Sequence, residues 1–467
     1  MSAGAHETHV HFIGIGGSGL SAIARMMKES GYHVTGSDRV LSPFAEDLRG
    51  AGVTVYVGHA AGNIAGADWI VRSSAVPDDN AEVQAARAAG IPVYRRADIL
   101  GKFMENKIGI AIAGTHGKTT TTAMIAHALS SMDLHPSFIV GGVVNDLGVN
   151  AGAGSGDFFV VEADEYDRMF LGVRPRLEVV TSIEHDHPDC YPTYDDMFAA
   201  FEAFARLLPT EGSLVASADD SGAASLMRKA AREQRGVLAY STRGGADLAA
   251  DRWMRAEGVI SNERGGFDFQ ATTNVGGESA AAVRLQVPGR HNVSNALAAL
   301  GVMALLGLSI NQAAAAMSKF TGTGRRFEIQ GEKKGIVVID DYAHHPTEIK
   351  ATLAAARSRF PGRRIWAVWQ PHTYSRTRAL FDGFVGAFGE ADETIVTEIY
   401  AAREPEQDFS SEQIVKAISR ETVHFVRSLE ETSSYLLDHL KSGDVLIVLS
   451  AGDADRVGRD VLAGLEE

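Results

Sequence analysis

The stretch Gly114-Thr115-His116-Gly117-Lys118-Thr119-Thr120 constrains this chain more than any other. It follows residues 108–113, which are apolar on both faces, as a strand buried in a parallel sheet should be. It precedes residues 119–131, which read as a helix. A strand, a glycine turn and a helix in that order place backbone N–H groups and the positive end of the helix dipole around a phosphate. The longer Walker form would put its first glycine at position 112, where Ile112 stands, so the loop is a shortened one. The physics is unchanged: Lys118 neutralises the β/γ-phosphate charge and the Thr119 hydroxyl reaches Mg2+. All seven loop residues are therefore candidate ATP contacts, and an open α/β sheet must carry them.

A second glycine loop, Gly14-Ile15-Gly16-Gly17-Ser18-Gly19, lies between a strand at 9–14 and a helix at 18–30. Asp38 follows the next strand, at 33–37. Such a loop lets the backbone approach a diphosphate, and the acid can reach a ribose hydroxyl. By itself it suits NAD as well as a UDP-sugar, so an NAD-dependent dehydrogenase is a competing reading.

A length of 467 residues suggests about three domains. Further strands at 53–57, 69–73 and 91–94 complete the first unit as a parallel sheet. The second unit adds strands at 158–162 and 178–183. Between 212 and 288, glycine pairs such as Gly244-Gly245 break short alternating runs, which predicts antiparallel hairpins. A helix at 294–306 follows, ended by Gly307. After Thr321-Gly322-Thr323-Gly324, strands at 336–340, 365–369, 394–399 and 445–449 alternate with helices at 347–358, 377–388, 412–419 and 430–439. The expected fold class is α/β in three domains. Residues 1–105 form an N-terminal Rossmann-like parallel sheet. Residues 106–320 form a central P-loop α/β ATPase domain with an added antiparallel sheet, and 321–467 a C-terminal Rossmann-like domain.

Composition narrows the function classes. Asp+Glu (59) outnumber Lys+Arg (44), for a formal charge of −15. That argues against non-specific binding to nucleic acid or an anionic membrane, but not against a phosphate held in a local pocket. The single cysteine, Cys190, excludes an intrachain disulfide and points to a reducing compartment. No apolar run approaches the length of a membrane span, and the start lacks the pattern of a signal peptide. The expected location is cytoplasmic.

Two polar clusters stand at strand ends, where an open α/β sheet presents ligands. They are Glu162-Ala163-Asp164-Glu165-Tyr166-Asp167 and Glu184-His185-Asp186-His187-Pro188-Asp189. Nucleotide-bound Mg2+ takes one or two protein ligands, and Glu162 and His187 are the candidates beside Thr119; a histidine ligand would also suit Mn2+. His6, His9 and His11 lack an evident fourth ligand and read as structural. In the third unit, Asp340–Pro346 and Gln370–Arg378 follow apolar strands, and Arg376 can fork onto a carboxylate. Asn292 and Asn295 offer amide side chains near a helix start, where the alternative is simple N-capping by Ser294 or Asn292.

Taken together these motifs resemble the Mur ligases of peptidoglycan synthesis over nearly the whole chain. The likeness includes His11–Ala24, Arg72–Pro77, Gly114–Thr122, Glu162–Glu165, Pro288–Asn295, Gly322–Phe327, Asp340–Glu348, Gln370–Arg378 and Tyr400–Glu404. It implies ATP-dependent ligation of L-alanine to the carboxylate of UDP-N-acetylmuramate through an acyl phosphate, with ATP and Mg2+ (or Mn2+) as cofactors. The first loop then becomes a UDP-sugar site, with Gly16, Gly17, Ser18, Gly19, Ser37, Asp38, His59, Ser73 and Ser74 as its candidates. Lys118, Thr119, Glu162 and His187 would hold phosphates and metal. Asn292 and Asn295 would face adenine, and Arg326 and Asp341 would touch ATP. Tyr342, His344 and Arg376 would orient alanine, with His344 the candidate proton acceptor. Ser182 departs from an Asn found in many relatives, and Thr373 from an Arg found in some. Glu165-Tyr166-Asp167 also resembles a murein-tripeptide recycling ligase, the alternative within the family. No lysine occurs between Lys118 and Lys229, where later Mur ligases carry a carbamylated one, and this favours the alanine-adding branch. A monomer or weak homodimer is expected.

Overall fold

The computed structural model describes residues 8–243, 250–402, 404–418 and 420–465. His6, the Gly244-Gly245 break, Arg403, Ser419 and the side chain of Ser18 lie outside the described residues. The chain forms three sheets, each flanked by helices. The first has five parallel strands in the order Thr54–Val57, His33–Asp38, His9–Ile13, Trp69–Arg72, Val93–Arg95. The order reverses at the central His9–Ile13 strand, so the loop after Ile13 opens at a topological switch point.

The second sheet has ten strands. Its parallel centre runs through Ser213–Ser217, Leu177–Val180, Ile108–Ala113 and Phe158–Glu162. Here the sequence expectation needs correcting. Residues 212–241 are not antiparallel hairpins: Ser213–Ser217 and Gly236–Ser241 pair in parallel across the Ser221–Arg232 helix. Antiparallel pairing starts only with Arg252–Ser261, Phe267–Thr273 and Ala280–Arg284. Nor do these strands form an added sheet. Arg252–Ser261 pairs in parallel with Gly236–Ser241 and extends the central one. The pairs Gly265-Gly266 and Gly276-Gly277 do fall between strands, but local turn chemistry carries no information about which strand lies alongside.

The third sheet has six strands in the order Glu328–Lys333, Ile336–Asp341, Val445–Leu449, Ile365–Trp369, Glu393–Val396, Val423–Phe425. Glu328–Lys333 is antiparallel and went unrecognised because its alternation is polar on both faces. The single helix expected at 377–388 is broken into Tyr374–Ala379 and Phe381–Val385. In each sheet the central strands are buried over most of their length, Ile365–Trp369 and Val445–Leu449 wholly so, and polar residues gather where those strands end. Among the described residues no helix is long and apolar enough to cross a membrane.

Candidate active site

The phosphate loop is built by backbone geometry. Gly117 caps the Lys118–Ser131 helix at φ 80°, a conformation that a Cβ disfavours. A Cβ there would also meet Asn295 Oδ1 at 2.6 Å. Gly114 has φ 132°, and a Cβ on it would collide with Thr181. Ser182 accepts the His116 amide through Oγ at 3.1 Å. Thr115 Oγ1 donates to the Glu184 carbonyl at 3.0 Å, tying the loop to the segment after Leu177–Val180.

Lys118 Nζ donates to the Gly114 carbonyl at 2.6 Å and to Glu165 Oε1 at 2.8 Å. Burial opposes charge on this amine, but Glu165 and its acidic neighbours outweigh it and raise the pKa. Burial likewise opposes ionisation of Glu165, and Lys118 and His187 overcome it, so the pair is ionic. Thr119 Oγ1 donates to Glu162 Oε1 at 3.0 Å, and the other Glu162 oxygen accepts the Gly141 amide at 2.6 Å. The structure therefore brings Thr119 and Glu162 together. His187 instead faces Glu165 at 3.6 Å and Arg376 at 3.3 Å.

A cleft of about 340 Å³ opens over this loop. The central unit lines it with Asn292 and Asn295, the C-terminal unit with Arg326, Asp341 and Glu348. Asn292 donates to the Pro288 carbonyl at 2.6 Å and accepts from Asn295 at 2.9 Å. Neither amide caps the helix, whose N-cap is Gly289. Arg326 Nη2 lies 3.5 Å from Thr119 Oγ1, and its guanidinium stacks 5.0 Å from the Tyr342 ring centre. Asp341 accepts the amides of Phe327 and Ala343 at 2.7 and 2.8 Å, which fixes the turn beside Arg326. Burial raises its pKa to about 6, against the pull of Arg326.

His344 is partly buried, and loss of solvent around the ring lowers its pKa to about 4 despite the nearby Glu348. Its Nδ1 faces the Tyr342 carbonyl at 2.9 Å. A ring held that low is a weak base, so it is poorly suited to the proton-acceptor role expected for it. Each of the three guanidinium nitrogens of Arg376 has a protein partner. Nε donates to Asp186 at 2.8 Å, Nη1 to His372 at 3.1 Å and Nη2 to His187 at 3.3 Å. Thr373 sits at φ 64° and caps the short helix carrying Arg376.

His116 is the charged centre of the loop. Nε2 meets Glu184 at 2.8 Å and Nδ1 meets Glu348 at 3.1 Å. Burial disfavours the cation, but the two carboxylates raise its pKa to about 9. His116, Glu184 and His345 place one donor atom each within 4.8 Å of one another. With both His116 nitrogens donating, the imidazolium already fills the place of a cation there.

In the N-terminal unit the sequence candidates gather at the strand ends. Gly16 donates its amide to Asp38 at 2.8 Å, and Ser42 donates to the Gly16 carbonyl at 2.8 Å. Ser37 Oγ meets His59 at 3.0 Å and donates to Glu82 at 2.5 Å. Gly14 packs on Ser73, while Gly17 and Ser74 are exposed. A Cβ on Gly19 would collide with Arg96. Glu82 is fully buried; burial opposes its charge, but His11, Ser37 and Asn63 hold its pKa at about 2. No sequence motif marked it. His9 and His11 both bond Thr35, at 2.9 and 2.8 Å, which is the structural role expected. Glu165, Glu184 and Glu348 were also missed as site residues, although all three lie inside motifs quoted for the resemblance or for the acidic clusters.

Family models match along the chain: the Mur ligase family catalytic domain over 9–108, the middle domain over 112–303 and the glutamate ligase domain over 325–452. A UDP-N-acetylmuramate–L-alanine ligase of Renibacterium salmoninarum is 42% identical over 457 residues, covering 98% of this chain and 96% of the relative. One from Roseiflexus is 42% identical over 465 residues, covering 98% and 99%. Among solved structures, a UDP-N-acetylmuramate–alanine ligase of Thermotoga maritima superposes with a TM-score of 0.80 at 29% identity, covering 98% and 99%. A murein peptide ligase of Psychrobacter arcticus gives 0.71 at 26%, covering 98% of each chain.

Proposed function

The chain belongs to the Mur ligase family, and from that premise we propose how its cleft works. It is an ATP-dependent ligase that joins L-alanine to UDP-N-acetylmuramate in peptidoglycan synthesis. The muramate carboxylate attacks the γ-phosphorus of ATP and gives an acyl phosphate and ADP. The alanine amine then attacks the acyl carbon, and the tetrahedral intermediate expels phosphate. The main barrier is charge, because a carboxylate must approach a polyanion. Lys118, the loop amides and Arg326 lower it by fixed, preorganised charge.

Thr119 and Glu162, with oxygens 3.0 Å apart beside the loop, form a hard donor pair suited to Mg2+. The bound ion would supply further neutralisation of phosphate charge. His187 is turned toward Glu165 and Arg376 here, and its nitrogen suits Mn2+ better than Mg2+. We assign His344 to hydrogen bonding with the incoming ammonium group rather than to lasting proton uptake. The glycine loop of the first sheet is assigned to the UDP-sugar. A cytoplasmic location follows from these nucleotide substrates.

The observation that carries this reading is the convergence of Lys118, Asn295, Arg326 and Asp341 from two units on one cleft. The test is phosphate release from ATP and UDP-N-acetylmuramate with L-alanine, glycine, L-serine or the murein tripeptide. L-Alanine is expected to support the fastest release. Release with the tripeptide alone would move the chain to the recycling branch.

A further inference from the structure

One carboxylate joins the two substrate loops. Glu348 lies in the first turn of the Pro346–Arg359 helix, and its side chain is 15% exposed at the cleft wall. Oε1 accepts from His116 Nδ1 of the phosphate loop at 3.1 Å. Oε2 accepts the backbone amides of His344 and His345 at 3.0 and 3.2 Å. These amides belong to the loop that presents Tyr342 and His344, while His116 sits two residues before Lys118.

We propose that Glu348 is a positioning residue that couples the phosphate loop to the amino-acid loop, so that filling one site orders the other. This rests on the function proposed above and deepens it. A shift of His116 under a bound phosphate displaces one Glu348 oxygen, and the rigid carboxyl plane carries that shift to the amides bonded by its other oxygen. Thr347 Oγ1, next along the same helix, donates to Glu184 at 2.9 Å, so the second partner of His116 is tied to the same turn. The coupling needs no movement of the sheets.

A double-mutant cycle with Glu348→Gln and His116→Asn tests this, with KM read for each of the three substrates. Gln is isosteric and still accepts the two amides, so the fold is preserved; a thermal melt checks that. Each single variant is expected to raise KM for L-alanine by roughly tenfold, a typical size for site–site coupling. KM for UDP-N-acetylmuramate should not change. The double variant should be no worse than either single one, because both break the same link. Effects that multiply, or that fall equally on all three KM values, would overturn the proposal. Wild-type enzyme that released no phosphate with any substrate set would instead refute the function itself.

Discussion

Lys118→Ala is expected to lower the rate of phosphate release by about 10²–10³-fold, the scale reached when a preorganised donor is removed from a developing anion. Binding of UDP-N-acetylmuramate should persist, since its proposed loop belongs to a different sheet. The amine holds the Gly114 carbonyl and Glu165 in the free protein, so the substitution has a second consequence. Glu165 is 1% exposed and would lose its main counter-charge, keeping only His187 at 3.6 Å. A stability loss is therefore expected as well. Lys118→Ala/Glu165→Gln separates the two effects: stability should return while activity does not. Recovery of turnover in the double variant would show that Lys118 serves the fold rather than the phosphate. The readouts are ADP formation by coupled assay and calorimetric binding of the UDP-sugar.

Arg376→Met is expected to cost about 3–5 kcal/mol of stability at neutral pH, because it strands a buried carboxylate. Arg376 and Asp186 are each 5% exposed. Burial opposes charge on Asp186, yet Arg376, His187 and His344 hold its pKa well below the ordinary 3.8. A depressed carboxylate contributes stability that is fully present above pH 3.8 and fades as pH falls through the lower folded value. The gap between wild type and variant should therefore shrink in acid. Denaturant titrations at pH 7 and pH 3 measure this, and an equal gap at both would contradict the ionic account. KM for alanine should also rise, because the brace joins the 184–189 segment to the Tyr374–Ala379 helix beside the loop proposed to hold the amino acid. Arg376→Lys should not rescue, since an ammonium group cannot reproduce contacts to Asp186, His187 and His372 together.

The phosphate loop was legible because its chemistry is local. Seven consecutive residues specify the turn, the helix start and the lysine, and the strand before them is apolar on both faces. The parallel pairing of Ser213–Ser217 with Gly236–Ser241 was not legible, because it depends on which strand the Ser221–Arg232 helix returns beside. Glu82 and Glu348 share this limit. Glu82 is recognised by what surrounds it, namely Ser37, His59 and Asn63, which come from other segments. Glu348 meets its partner His116 across 232 residues of chain. The role expected of Arg376 was read from its type, but the type does not reveal that each of its three nitrogens already meets Asp186, His372 or His187.

The acyl phosphate is tested most directly by isotope transfer. UDP-N-acetylmuramate labelled with ¹⁸O in its carboxylate is incubated with ATP and L-alanine, and the released phosphate is analysed by mass. Attack of the carboxylate on the γ-phosphorus predicts one labelled oxygen in each phosphate formed. Phosphate free of label, with both heavy atoms retained on the sugar side, would contradict the mechanism.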